Sequence, residues 1–150
     1  GIRGNCIARG TRNPMIFDRE GQLLETLPGD LLPERIHLSE DGFVLFVQTY
    51  ESVTLWRTQS WQVKTVIKGP WLNAALSPGA GTLYAIDFEG NLYTADLLDE
   101  RIPLKKIPVP DPLTTIDAGE EWLVAGFGKG DAVRRASRKA IDHFLIHSAE

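Results

Sequence analysis

The stretch RIHLSEDGFVLFVQTYESVTLWRTQSWQVKTVI, residues 35–67, decides the fold once it is set above NAALSPGAGTLYAIDFEGNLYTADLLDERIPLKKIPV, residues 73–109. Both read as a short strand ending in Ser, a polar turn with Gly, an aromatic-rich strand, an acidic turn, a third strand, a polar loop and an amphipathic strand. Ser39 matches Ser77, 38 residues on, and Tyr50-Glu51 matches Phe88-Glu89. A third copy begins at TTIDAGEEWLVAGFG, residues 114–128, with Asp117 in the Ser position 40 residues after Ser77. The first residues, GNCIARG, PMIFDREG and QLLETL, fit the back three strands of an earlier copy, with Asp18-Arg19-Glu20-Gly21 falling at Phe88-Glu89-Gly90-Asn91.

Working outward, alternating runs predict strands over 5–9, 14–18, 22–27, 35–39, 43–49, 52–57, 61–67, 72–77, 82–87, 91–97, 104–109, 114–117 and 121–127. Turn chemistry separates them: Pro28-Gly29, Asp41-Gly42, Ser77-Pro78-Gly79, Glu89-Gly90-Asn91 and Pro110-Asp111-Pro112. A repeat of about 40 residues carrying four strands is one blade of a β-propeller. The LSEDG and LSPGAG turns, the SVTLWRT and NLYTADL third strands and the period resemble the WD-repeat propellers over roughly residues 5–128. Trp56 stands where that family ends its third strand in Trp, and Ala95-Asp96 stands there in the next copy. No Gly-His pair precedes either repeat and there is no Trp-Asp dipeptide, so the family's Asp–His–Ser–Trp network does not carry over.

The expected fold is therefore all-β: a partial propeller of four-stranded antiparallel blades over residues 1–128, followed by an amphipathic α-helix over 129–150. Three strands, two blades of four and two more strands make an open arc, since propellers close with about four to eight blades. Its end sheets need cover, from a further segment, a second copy or another subunit.

Composition narrows the function. The 150 residues carry 43% hydrophobic and 24% charged side chains and a net charge of −4, which suits a globular chain and argues against a broad nucleic-acid surface. Residues 129–150 hold 5 Lys+Arg against 3 Asp+Glu, so a locally basic tail follows an acidic body. The single cysteine, Cys6, closes no internal disulfide and builds no zinc site alone. No apolar run reaches the length of a membrane span and no signal core opens the chain, so the expected setting is cytoplasmic or nuclear.

Several motifs invite chemistry and have plainer readings. The loop GFGKGD, residues 126–131, could let backbone approach a phosphate, but its spacing fits neither GxGxxG nor GxxxxGK[ST], and a strand-to-helix turn explains it. His143 and His147 lie four apart on the predicted helix, with no Glu between them and no third ligand. The runner-up function, a nucleotide- or metal-binding enzyme, would use the Gly126–Gly130 loop and these two histidines. Asp41, Asp87, Asp96, Asp117 and Glu89 sit at turns, where Asp caps its own backbone. Cys6 reads as a small strand residue, and Trp56, Trp61, Trp71 and Trp122 as core between blades.

The favoured reading is a non-catalytic protein-interaction scaffold or adaptor, a complex subunit with no catalytic, cofactor or metal residues. Its contact residues are Val133, Ala140, Ile141, Phe144 and Leu145 on the apolar helix face, together with Trp61 and Trp71, whose turn-like flanks raise the question of exposure. Ser137 follows Arg134-Arg135-Ala136 in the pattern of a basophilic kinase site. Nucleic acid enters only through the basic face Arg134, Arg135, Arg138 and Lys139.

Overall fold

The computed structural model describes residues 6–9, 13–28 and 33–127. Each run expected to be extended forms a strand: β1 (Cys6–Arg9), β2 (Pro14–Phe17), β3 (Leu23–Thr26), β4 (Arg35–Leu38), β5 (Val44–Gln48), β6 (Ser52–Arg57), β7 (Gln62–Lys68), β8 (Asn73–Leu76), β9 (Thr82–Ile86), β10 (Leu92–Asp96), β11 (Leu104–Ile107), β12 (Leu113–Ala118) and β13 (Leu123–Phe127). Neighbours in sequence pair antiparallel in four sheets, β1-β2-β3, β4-β5-β6-β7, β8-β9-β10-β11 and β12-β13. Two complete blades thus lie between a sheet of three strands and a sheet of two among the described residues. The predicted helix over 129–150 lies outside them.

The repeat is visible in its turns. Ser39 Oγ accepts the Val44 N–H at 3.0 Å and donates to Asp41 Oδ1 at 2.7 Å, tying the β4–β5 turn. Ser77 Oγ accepts the Thr82 N–H at 3.0 Å in the next copy. The fourth position of each turn is left-handed: Gly42 has φ 77° and its equivalent Ala80 has φ 58°, a conformation glycine adopts at less cost than alanine. The third copy departs from the expected alignment. Its turn closes from Gly119 N–H to Trp122 O at 2.7 Å, where the others close from Ser39 to Val44 and from Ser77 to Thr82. Gly119, not Asp117, therefore fills the Ser position. The hairpin is two residues shorter, and a gapless comparison slides past that deletion.

Alternation puts two faces of each blade to work. On β5, Leu45 and Val47 pack with Ile16, Leu27 and Trp56 toward the first sheet. Val44 and Phe46, with Val53, Leu55 and Ile67, meet Ala74, Leu76, Leu83, Ala85 and Ala95 of the third sheet. The other face of that sheet, Ile86 and Leu92, meets Leu113 and Ile116 of the fourth. Every residue of β5 is buried because both of its faces are covered. Burying a side chain such as Phe46 stabilises this stack by roughly 1.5–3 kcal/mol.

The first sheet corresponds to the back three strands of a blade, as its sequence suggests. Its register shifts between Ile16 and Phe17, as the β6–β7 pairing shifts between Leu55 and Trp56. Ile16 also faces the following blade, as Leu55 does. Wholly exposed β3 is its outermost strand, as largely exposed β7 is in the next blade. The turn after β2 copies the Asp87 turn one residue away from the expected match: Asp18 plays the part of Asp87, and Gly21 (φ 85°) that of Gly90 (φ 86°). Trp122 is a correction to the core expectation. It sits at the β12–β13 turn, 76% exposed, on a sheet with no further described blade beyond it.

Candidate functional site

A polar group that bridges several sheets lies at the inner strands. Arg35 opens β4, and its Nη1 donates to Ala74 O of β8 at 2.9 Å and to Ile116 O of β12 at 2.8 Å. Its Nη2 donates to Asp117 Oδ1 at 2.8 Å. One guanidinium thus joins the innermost strands of three successive sheets. A fixed planar fork with several donors can do this, and a Lys ammonium could not hold the same geometry. The Arg35 hydrogen bond holds the Asp117 carboxyl below its ordinary pKa. Sequence reading treats Arg35 as a strand start; only its equivalence to Asn73 one repeat later marks the position, and nothing local signals a contact across 81 residues.

The turn acids cap their own backbone, as their composition suggests. Asp41 Oδ1 accepts Phe43 N–H, Asp87 Oδ1 accepts Glu89 and Asn91 N–H, and Asp96 Oδ1 accepts Leu98 N–H, each at 2.9–3.0 Å. Asp87 Oδ2 also accepts the Tyr93 hydroxyl at 3.3 Å. Burial, followed by the Asp87 charge, raises the Tyr93 pKa.

The two open ends differ in character. Beyond β13 there is no described strand, and Trp122, Val124 (68%) and Phe127 (57%) are exposed there. The outer strands of the complete blades carry guarding lysines, Lys64 and Lys68 on β7 and Lys105 and Lys106 on β11. β13, reading LVAGF, carries no charge. At the other end β3 exposes Leu23 and Leu24.

Of the residues singled out in sequence, Trp71 is buried. It lies in the core between the two complete blades, donates Nε1–H to Ile67 O at 3.1 Å and stacks edge-on with Tyr93 at 5.8 Å. Trp61 is half-buried at the left-handed end of the β6–β7 turn (φ 53°) and packs against the core shared with the first sheet. Gly126 belongs to β13, opposite Thr115, and a Cβ there would meet Thr115 Cγ2 at 2.7 Å. Strand packing alone accounts for that glycine. Residues 128–131 of the same motif, and Val133, Arg134, Arg135, Ser137, Arg138, Lys139, Ala140, Ile141, His143, Phe144, Leu145 and His147, lie outside the described residues, as does the Cys6 side chain. Among the described residues no three His, Cys, Asp or Glu side chains converge as a metal site, and no helix is long and apolar enough to cross a membrane.

No protein-family model matches the chain, and no curated protein matches it in sequence. Solved structures do. The β-propeller domain of Cps50 (Swd1) from Myceliophteria thermophila aligns with a TM-score of 0.72 at 14% identity, over 84% of this chain and 47% of that one. The RRP9 WD40 repeats align at 0.68 and 17% identity, over 84% and 42%. Kuenenia stuttgartiensis hydrazine synthase aligns at 0.66 and 18%, over 84% and 39%. The chain has a WD-repeat-like β-propeller fold in part, and it spans less than half the length of these neighbours.

Proposed function

We propose that this chain serves as a non-catalytic protein-interaction scaffold or adaptor within a complex, in the cytoplasm or nucleus. The observation that carries the reading is the pair of sheets with three and two described strands, β1-β2-β3 and β12-β13, flanking two complete blades. Sheet ends with exposed Leu23, Leu24, Val124 and Phe127 are surfaces to be covered by protein. The WD40 neighbours are consistent with such a role, while hydrazine synthase among them is a reminder that the fold alone does not set it.

The reading has two units, blades over 1–128 and an amphipathic helix over 129–150, whose apolar face (Val133, Ala140, Ile141, Phe144, Leu145) docks on a blade or in a partner groove. Ser137 phosphorylation would add negative charge beside the basic Arg134, Arg135, Arg138 and Lys139 and change that docking. Affinity purification with the wild-type chain and with Leu23→Glu/Leu24→Glu tests the function. A stoichiometric partner held by the wild type and lost in the variant supports it. Purification of the wild type as a partner-free monomer that also binds a nucleotide or Zn²⁺ tightly in calorimetry refutes it.

A further inference from the structure

The turns of these antiparallel sheets gather at two ends. Glu40 N–H donates to Pro78 O at 2.9 Å, which ties the β4–β5 turn to the β8–β9 turn. Thr58 N–H donates to Phe43 O at 3.1 Å and Leu97 N–H to Gly81 O at 2.9 Å, which bring the β6–β7 and β10–β11 turns to the same end. Leu113 N–H donates to Gly90 O at 3.0 Å, so β12 starts beside the β9–β10 turn and meets β13 at the opposite end, with the others. This second end carries exposed apolar side chains on three successive sheets: Phe43 (45%), Leu98 (82%) and Trp122 (76%). At the other end the turn aromatics of the complete blades, Tyr50 and Phe88, are half-buried and meet edge-on at 5.9 Å.

The β10–β11 turn holds Leu98 outward. Leu98 N–H donates to Asp96 Oδ1 at 2.9 Å and Arg101 N–H to Asp99 Oδ1 at 3.0 Å, so two successive side-chain caps fix the loop. Ile102 anchors it: its N–H donates to Asp99 O at 3.0 Å, its side chain packs on the core between the two complete blades, and its φ is 44°. A β-branched residue adopts that conformation at a cost, which the packing of its side chain offsets. Between the paired Ala95 and Leu104 the chain has eight residues, against six between the equivalent pair Trp56 and Val63, and this longer turn carries Leu98, Asp99 and Glu100. An apolar side chain held in this way loses little freedom when a partner covers it. Glu40, Asp96, Asp99, Glu100, Glu120 and Glu121 are exposed at the same end, against Arg57 and Arg101. Beside Leu98 a cleft of about 400 Å³ is lined by Thr82, Thr94, Asp96, Asp99 and Lys105. It has room for a long side chain, and its two carboxylates outnumber its one ammonium, which favours a cation.

We infer that this end is a docking face for a cationic segment of a partner protein, one with apolar side chains set between its Lys or Arg residues. The inference rests on the scaffold reading and adds to it the face used and the chemistry of the partner. Apolar side chains of the segment cover Leu98, Trp122 and Phe43, while its cations lie against the acids between them. Charge alone does not select the end, because Glu20, Glu51 and Glu89 are exposed at the other one; the exposed anchors do. Stacked sheets lie about 10 Å apart, so Phe43 on the second sheet and Trp122 on the fourth are about 20 Å apart, a span that about 14 residues of helix match.

The test is fluorescence anisotropy of the full chain with two labelled peptides of equal charge and about 15 residues. One has Lys and Leu in amphipathic helical order, and the other has Ser in place of each Leu. In about 0.15 M salt, where charges at the far end are screened, the Lys/Leu peptide should bind at least about tenfold tighter. Leu98→Ser combined with Trp122→Ser should bring the two peptides level. Glu120→Lys combined with Glu121→Lys should weaken both several-fold, whereas Glu51→Lys with Glu89→Lys should leave them nearly unchanged. All six residues are exposed, and unfolding midpoints equal to wild type keep the comparison to folded protein. No binding, equal binding of the two peptides by the wild type, or weakening by the Glu51/Glu89 variant as large as by the Glu120/Glu121 variant overturns the inference. Binding of the Lys/Leu peptide that Leu23→Glu/Leu24→Glu abolishes and Leu98→Ser/Trp122→Ser leaves unchanged overturns it as well. Partner capture in the Leu23/Leu24 experiment is a separate readout, so failure of one reading is told from failure of the other.

Discussion

Replacing Arg35 should loosen three sheets at once. Its Nη1 donates to Ala74 O at 2.9 Å and Ile116 O at 2.8 Å, and its Nη2 to Asp117 at 2.8 Å. Hydrogen bonds that involve a charged group contribute about 1.5–3 kcal/mol each where solvent is restricted. The Arg35 side chain is 28% exposed and Asp117 is 77% exposed, so solvent screens the ion pair and it contributes about 0–1 kcal/mol. The weight therefore falls on the two carbonyls. Arg35→Met keeps the aliphatic stem and should cost about 2–4 kcal/mol, whereas Asp117→Asn should cost no more than about 1 kcal/mol. Equilibrium urea unfolding, followed by tryptophan fluorescence, gives both numbers. Acid adds a sign. The Asp117 pKa is lowered in the folded state, so its contribution is present above the ordinary carboxylate range and is lost as pH falls through the depressed value. Asp117→Asn should remove that part of the acid sensitivity and leave stability near neutral pH almost unchanged. If Asp117→Asn proves as costly as Arg35→Met, or if Arg35→Met is neutral, the carbonyl bridge is not what joins the inner strands.

Three further outcomes are expected. Trp71→Phe removes the 3.1 Å hydrogen bond to Ile67 O and part of the edge-on contact with Tyr93, and should lower stability by about 1–3 kcal/mol in the same unfolding assay. Ser39→Ala leaves the buried Val44 N–H without its hydroxyl acceptor and strips Asp41 of a donor, so it should cost about 1–2 kcal/mol, more than Ser77→Ala in its less buried turn. Trp122→Ser should change stability by less than about 0.5 kcal/mol, because the indole is 76% exposed; a larger loss by calorimetry would mean that Trp122 is covered.

The Ser39 and Ser77 turns show how far local pattern carries. A hydroxyl two bonds from its own Cα needs no tertiary contact to find the N–H across a short turn, so the repeat announces its turns in composition. The same holds for Asp41, Asp87 and Asp96. Trp122 and Trp71 show the opposite. Both are tryptophans beside turn residues, yet one is 76% exposed and the other 4%. Their fates differ because Trp71 enters the core between two complete blades, while Trp122 tops a sheet that has two strands among the described residues.

The sequence alone determined the described strands, their grouping into sheets with three, four, four and two described strands, and the turns that punctuate them. Those features rest on side-chain alternation and on hydrogen bonds spanning a few residues. Tertiary structure decided what depends on groups far apart in the chain. Arg35 reaches β12 across 81 residues, and Trp71 enters a core shared by two complete blades while Trp122 stays exposed. The physical reason is loop closure: the entropy of bringing such distant groups together is met by packing of whole sheets, which no local window of sequence contains.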